Sequence, residues 1–234
     1  STTGVDGTGY GANPDAPLAT LDYAVGLCTA SKGDVIFLMP GHAEAITAAL
    51  SPALDVAGIQ VIGLGWGSLQ PTFTLGTNTT ATINVTAINV LIRNIKITSA
   101  LADVAVGITA AATADGLVVE NCLFSDGSLT TELVIGIQLA AACDGCVIQN
   151  NRFLTDISAE TGGCASAIQL VGQSIRTKII GNTSHGHYTV ANLDGITALA
   201  FQLLITDNYL ANIDTGAGLA IDLHASTTGK VLRN

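Results

Sequence analysis

At 234 residues the chain is long enough for one large domain, and its 18 acidic against 8 basic residues give a net charge of −10. That balance argues against nucleic acid or an anionic membrane as the main partner, because both require a basic footprint. Charged residues are only 11% of the chain and apolar ones 48%, a low charge density for a surface wetted on every side, so part of it is expected to lie under partner chains.

The first 33 residues differ in kind from the rest. The run DGTGYGANPDAP (6–17) is a Gly/Pro/Asn loop; it lacks the Lys-Ser/Thr of a phosphate loop and precedes no long helix. Thr20 then reads as the N-cap of a short amphipathic helix, with Leu21, Ala24, Val25 and Cys28 on its apolar face. Such a helix would plug the open end of a coil stack, where unpaired backbone groups invite aggregation. GDVIFLMPG follows, a first strand closed by a turn at Pro40 and Gly41.

From there the chain repeats itself. A small residue, Ile and an alternating pair recur at Ile59, Ile83, Ile108, Ile137, Ile168, Ile196 and Ile221, spaced 24, 25, 29, 31, 28 and 25 residues apart. Period-2 alternation turns Ile inward and sets Gln60, Asn84, Thr109, Gln138, Gln169, Thr197 and Asp222 outward. A second motif ends in Asn at Asn94, Asn121, Asn150, Asn182, Asn208 and Asn234, six positions read as one ladder of stacked side chains. Two strands per coil without helical periodicity describe a parallel solenoid of about seven coils over 34–234, with 1–33 as its N-terminal loop and capping helix. In the Asn-register strand Leu91, Val118, Val147, Ile179, Ile205 and Val231 alternate with Ile92, Val119, Ile148 and Ile180, so both faces are apolar. One face lines the core; the other forms a candidate interface stripe. The last strand ends at Asn234 without a cap, leaving an end for further chain or a partner to cover.

Few residues suggest chemistry. Glu120 and Asp207 share a phase but lie three coils apart; Asp126, Glu132, Asp156 and Glu160 fall in variable loops, where solvated acids are the plain reading. His185 and His187 in SHGHY have a same-face spacing with only Asp194 nearby, which reads as a polar turn, and His224 follows Asp222 at the same spacing. Cys143 and Cys146 form a lone C-x-x-C, read as a turn; an odd total of five cysteines is no disulfide framework, and most are expected to be small buried residues. Catalytic, cofactor and metal sites are therefore expected to be absent. No run of 18 apolar residues and no signal-peptide pattern occurs, so a soluble chain without membrane insertion is expected.

Asp6 to Gly11, Pro17, Ala24, the GDVIFLMPGHAE segment (33–44) and the Ile and Asn ladders resemble the pectate-lyase-like superfamily of right-handed parallel β-helices. Within it the GDVIFLMPG opening and the IDLHASTTG run (221–229) look most like virion-associated proteins of tailed phages and prophages. That resemblance implies an all-β, right-handed, single-stranded β-helix, trimeric in a tail spike, fibre or head decoration, located on a virion or outside the cell. A non-enzymatic structural or adhesive role is expected, with other virion proteins or a host surface glycan as partners. The alternatives are a polysaccharide hydrolase or lyase, for which Tyr188, Trp66 and Tyr209 are the few aromatic platforms, and a surface adhesin or filament-forming repeat protein.

Overall fold

Short segments that alternate in burial and are rich in Val, Ile and Thr form strands, and strands of two to seven residues need neighbours to satisfy their backbone groups. In the computed structural model, which describes residues 3–234 except 77, 129, 141, 156–163, 196, 198, 215 and 217, each finds those neighbours one turn away. The chain is an all-β parallel solenoid of about seven turns with three sheets. The first sheet has eight strands, from Val35–Leu38 to Gly229–Leu232; the second has seven, from Ala43–Ile46 to Tyr209–Asn212; the third has seven, from Ala53–Leu54 to Leu219–Leu223.

The Asn-register strands build the first sheet and most of the Ile-register strands the third. The second sheet was not expected. Its strands, such as Leu123–Ser125 and Arg152–Leu154, begin just past the Asn corner. They are too short, and their outward residues too varied, to show alternation. Ile59 belongs to another phase than its motif implied: Gln60–Gly63 lies in the first sheet, with Gln60 paired to Val35 and Leu91. Ile196 lies outside the described residues. Leu193 holds its expected place, between Ile168 and Ile221, so Asp194 stands where Thr197 was expected.

Two rows of left-handed residues flank the first sheet. Before it stand Ser31, Gly58, Asn89, Gly116, Gly145, Arg176 and Gln202; after it stand Asn94, Asn121, Asn150, Gly181, Asp207 and Arg233, all at positive φ. Asn, Asp and Gly accept this conformation at least cost. The expected six-Asn ladder thus splits into two rows. Asn94, Asn121 and Asn150 are the corner residues themselves, whereas Asn182, Asn208 and Asn234 sit one residue later and point inward. Asn151 joins this inner row, which is a true ladder: Asn151 Nδ2 donates to Asn182 Oδ1 (3.1 Å), Asn182 Nδ2 to Asn208 Oδ1 (3.0 Å) and Asn208 Nδ2 to Asn234 Oδ1 (2.9 Å). Asn is favoured both by the left-handed corner and by amide stacking, so a motif ending in Asn cannot tell the two positions apart.

Inside, equivalent residues stack. Val61, Ile92, Val119, Ile148, Ile179 and Ile205 form one buried row from the first sheet; Ile83, Ile108, Ile137, Ile168 and Leu193 form another from the third. In the second sheet Phe124 and Phe153 stack with centroids 4.7 Å apart and planes within 11°. Gly136 makes room for them, since a Cβ there would stand 2.8 Å from the Phe153 ring and 2.6 Å from the Ala167 carbonyl. At the N-terminal end the helix Leu21–Gly26 buries Leu21, Ala24 and Val25 against the first turn. It is tied there at two points: Glu44 Oε2 accepts from the Leu21 amide, and Asp22 Oδ1 accepts from the Ala53 amide.

The split of the Asn positions into two rows is testable. Asn182→Ala removes the acceptor of the buried Asn151 amide and side chain and the side-chain donor to the Ile148 carbonyl, and should cost about 3 kcal/mol, whereas Asn121→Ala, which changes only an exposed corner, should cost about 1 kcal/mol. Denaturant titration of both variants reads the difference; equal losses would contradict the two rows.

Candidate functional site

Three outer faces are available to a partner or ligand, and they differ in chemistry. On the first sheet the outward positions run Val35, Gln60, Leu91, Val118, Val147, Lys178, Leu204 and Lys230 in one row and begin with Phe37, Ile62, Arg93 and Glu120 in the other. Val35 is 40% and Phe37 57% exposed, and Ile62, Leu91, Val118 and Val147 are half-buried. The expected stripe therefore divides. Leu91, Val118 and Val147 do face outward. Ile179, Ile205 and Val231 align with Ile148 and belong to the inward row, because the Asn that ends the motif moves from the corner itself at Asn150 to one residue past the corner at Asn182. Outward positions in those turns are taken by Lys178, Leu204 and Lys230. The apolar patch is thus concentrated on the earlier turns, and at its lower edge Val35 and Phe37 also line a groove of about 540 Å³ beneath the first strand.

Beside this patch lies a polar knot. Arg93 pairs with the nearly buried Glu120, and Gln149 Nε2 donates to the other Glu120 oxygen. Glu120 aligns with Thr206 rather than Asp207, so the two acids do not share a phase. Asp207 is a corner residue held by both nitrogens of a bidentate Arg233 contact (2.6 and 2.9 Å), which keeps its carboxyl at about 2.

The third sheet carries a continuous polar row: Asn84, Thr109, Gln138, Gln169, Asp194 and Asp222. Gln138 Nε2 donates to Gln169 Oε1 (2.7 Å), and Gln169 Nε2 to Asp194 Oδ2 (2.8 Å). Asp194 and Asp222 are cross-strand partners, so two carboxylates sit on adjacent turns, about 4.8 Å apart at the backbone. This pair was missed because GIT at 195–197 imitates the Ile motif. Reading LDG instead, with Leu inward and Asp outward 25 residues after Gln169, would have found it.

The remaining candidates disperse. SHGHY is not a turn throughout: Thr183–Gly186 is a strand of the second sheet. His185 stands beside Leu154 and Ala211, while His187 lies past the strand and meets Asp214 of the next turn, Nε2 to Oδ1, at 3.0 Å. His224 Nδ1 accepts from the Ser226 amide and so serves its own turn. Asp126 Oδ1 accepts from the Leu133 amide and lies 3.7 Å from Cys164 Sγ; Asp156 and Glu160 are outside the described residues. Among the aromatics Tyr188 is only 2% exposed and is core; Trp66, 79% exposed, and Tyr209 lie outside the third sheet. Burial pushes the Cys122 thiol up to about 12 and raises Cys164 further, so neither is a reactive thiolate. Among the described residues no group of three or more His, Cys, Asp or Glu could hold a metal, and no helix is long and apolar enough to cross a membrane.

Searches of protein-family models, curated proteins and solved structures find no match for this chain.

Proposed function

We propose that this chain is a non-enzymatic structural or adhesive solenoid that assembles with copies of itself into a homotrimer, in a phage-like particle of the kind its sequence resembles. The apolar outer face of the first sheet carries the reading. Val35, Phe37, Ile62, Leu91, Val118 and Val147 form a patch on a rigid wall, and such a patch favours burial against a partner. The chain's low charge density supports the same conclusion. In a trimer the first sheets face one another, leaving the polar third sheet and the variable loops for other virion proteins or a surface glycan.

Light scattering coupled to size-exclusion chromatography should give about three times 23.6 kDa. Val118→Glu with Val147→Glu should shift that mass to the monomer while the far-ultraviolet spectrum stays that of a β protein. A monomeric parent chain at micromolar concentration overturns the assembly.

One observation favours a second reading, a polysaccharide-active hydrolase. Asp194 and Asp222 are cross-strand partners whose backbones lie about 4.8 Å apart, near the lower end of the carboxyl separation of about 5–9 Å that glycoside hydrolysis uses. Among the described residues no exposed aromatic platform accompanies them: Trp66 follows a first-sheet strand and Tyr209 lies in the second sheet. On the structural reading, a panel of acidic and neutral polysaccharides yields no new reducing ends or unsaturated sugars. Cleavage that disappears in the Asp194→Asn, Asp222→Asn double variant would establish the hydrolase instead.

A further inference from the structure

The wall between the third and first sheets turns a corner at the same phase in each coil, and the residues that bound it differ from turn to turn. The boundary positions are Ala114 and Leu117, then Cys143 and Cys146, then Ser174 and Thr177, placed in register by the strand pairs that follow them. All six side chains are buried. In the middle turn Cys143 Sγ and Cys146 Sγ are 2.7 Å apart. A disulfide bond is about 2.05 Å long, and two unbonded thiols stand well beyond 2.7 Å, so the corner already brings the sulfurs closer than two independent side chains would settle.

We propose that Cys143 and Cys146 are a redox pair that closes into a disulfide within this corner, a covalent modification site inside the solenoid wall. Three features of the surroundings support it. Both sulfurs lean on one acceptor, the Ala114 carbonyl, at 3.3 and 3.6 Å, while the Asp144 carbonyl lies farther from Cys146 Sγ, at 3.8 Å, so the two thiol protons compete for the nearer site. In the turn above, the Ser174 and Thr177 hydroxyls face the same corner without a hydrogen-bond partner among the described residues, so nothing there holds a second thiol proton. The corner itself is tightly shaped: Gly145 and Ala142 both adopt left-handed φ, 65° and 64°, and Ala142 does so without the freedom of glycine. A bond across the turn would hold that conformation in place. The other three thiols have separate neighbours: Cys28 the Ala24 carbonyl, Cys122 the Glu120 carbonyl and Cys164 the Asp126 carboxyl.

Closure requires an oxidant, and a low-molecular-weight disulfide such as oxidised glutathione supplies it. The Cys146 thiolate attacks one sulfur of that disulfide, forms a mixed disulfide and displaces one glutathione thiolate. The Cys143 thiolate then attacks the Cys146 sulfur and displaces the second. Two electrons pass from the cysteine pair to the oxidant, and the two thiol protons leave on two molecules of reduced glutathione. The sealed corner has no room for the mixed disulfide, and the facing thiol together with burial raises Cys143 far above an ordinary thiol. Exchange therefore takes place while the turn is open, during folding.

The test is to refold the full chain from denaturant in a glutathione redox buffer, quench in acid, and alkylate under denaturing conditions. Three alkylated thiols are expected, with a peptide spanning residues 143–146 that is lighter by two hydrogens. Cys143→Ala places there the residue that the preceding turn already carries, Ala114, and should show four alkylated thiols. Five alkylated thiols in the parent chain overturn the proposal, as does protection that maps to Cys28, Cys122 or Cys164 or that persists in Cys143→Ala. The outcome is independent of the trimer, since the pair lies within one chain.

Discussion

Everything in this molecule depends on vertical register: each wall residue takes its hydrogen bonds from the residue at the same phase one turn away. The wall strands are short, and a strand of three residues has no stability alone. The turn must therefore return to the same phase despite loops of different length, and the two rows of left-handed residues beside the first sheet fix the angle at which it does so. Stacked amides then link the turns from within. From Asn151 to Asn234 every rung of the ladder donates in one direction, so the inner edge of the corner is satisfied without water.

The same constraint decides how much could be read from the sequence. A stack of in-register turns writes its core as a repeat, so the solenoid, the capping helix and most inward Ile positions were legible. Phase within a turn was not. Asn suits both the exposed left-handed corner and the buried ladder, and the doubled Asn150-Asn151 is where the motif changes from one meaning to the other. That single slip carried Ile179, Ile205 and Val231 to the wrong side of the first sheet and hid Lys178, Leu204 and Lys230, which are the outward residues there. A similar ambiguity at GIT displaced Asp194. The second sheet was invisible for a different reason: strands of three or four residues supply only one or two inward positions, too few to form a pattern.

The proposed assembly rests on the contrast between faces. The third sheet carries a row of amides and carboxylates that is half-buried or buried, with Gln138, Gln169 and Asp194 linked along the stack. The first sheet shows aliphatic and aromatic carbon on its earlier turns and lysines on its later ones. A wall that is dry at one end and charged at the other favours contacts with a defined lengthwise position, the requirement of an assembly in which copies lie side by side. The acids that would serve catalysis are mostly engaged elsewhere: Glu120 by Arg93, Asp207 by Arg233, Asp214 by His187.

Gly136 and Phe153 illustrate what such a scaffold means for sequence change. The glycine in one turn exists because the ring belonging to the next strand of the stack lies over it, and Gly107 stands in the same relation to Phe124. A larger residue at the glycine meets both the ring and the Ala167 carbonyl, so it requires the ring to be trimmed and the neighbouring turn to shift, and trimming the ring alone leaves a void. The two positions are thus epistatic although 17 residues separate them, while sites several turns apart have no common neighbour and vary freely. Divergence in this wall should proceed by paired replacements along a vertical column, and the history of the chain should be written in columns rather than in segments.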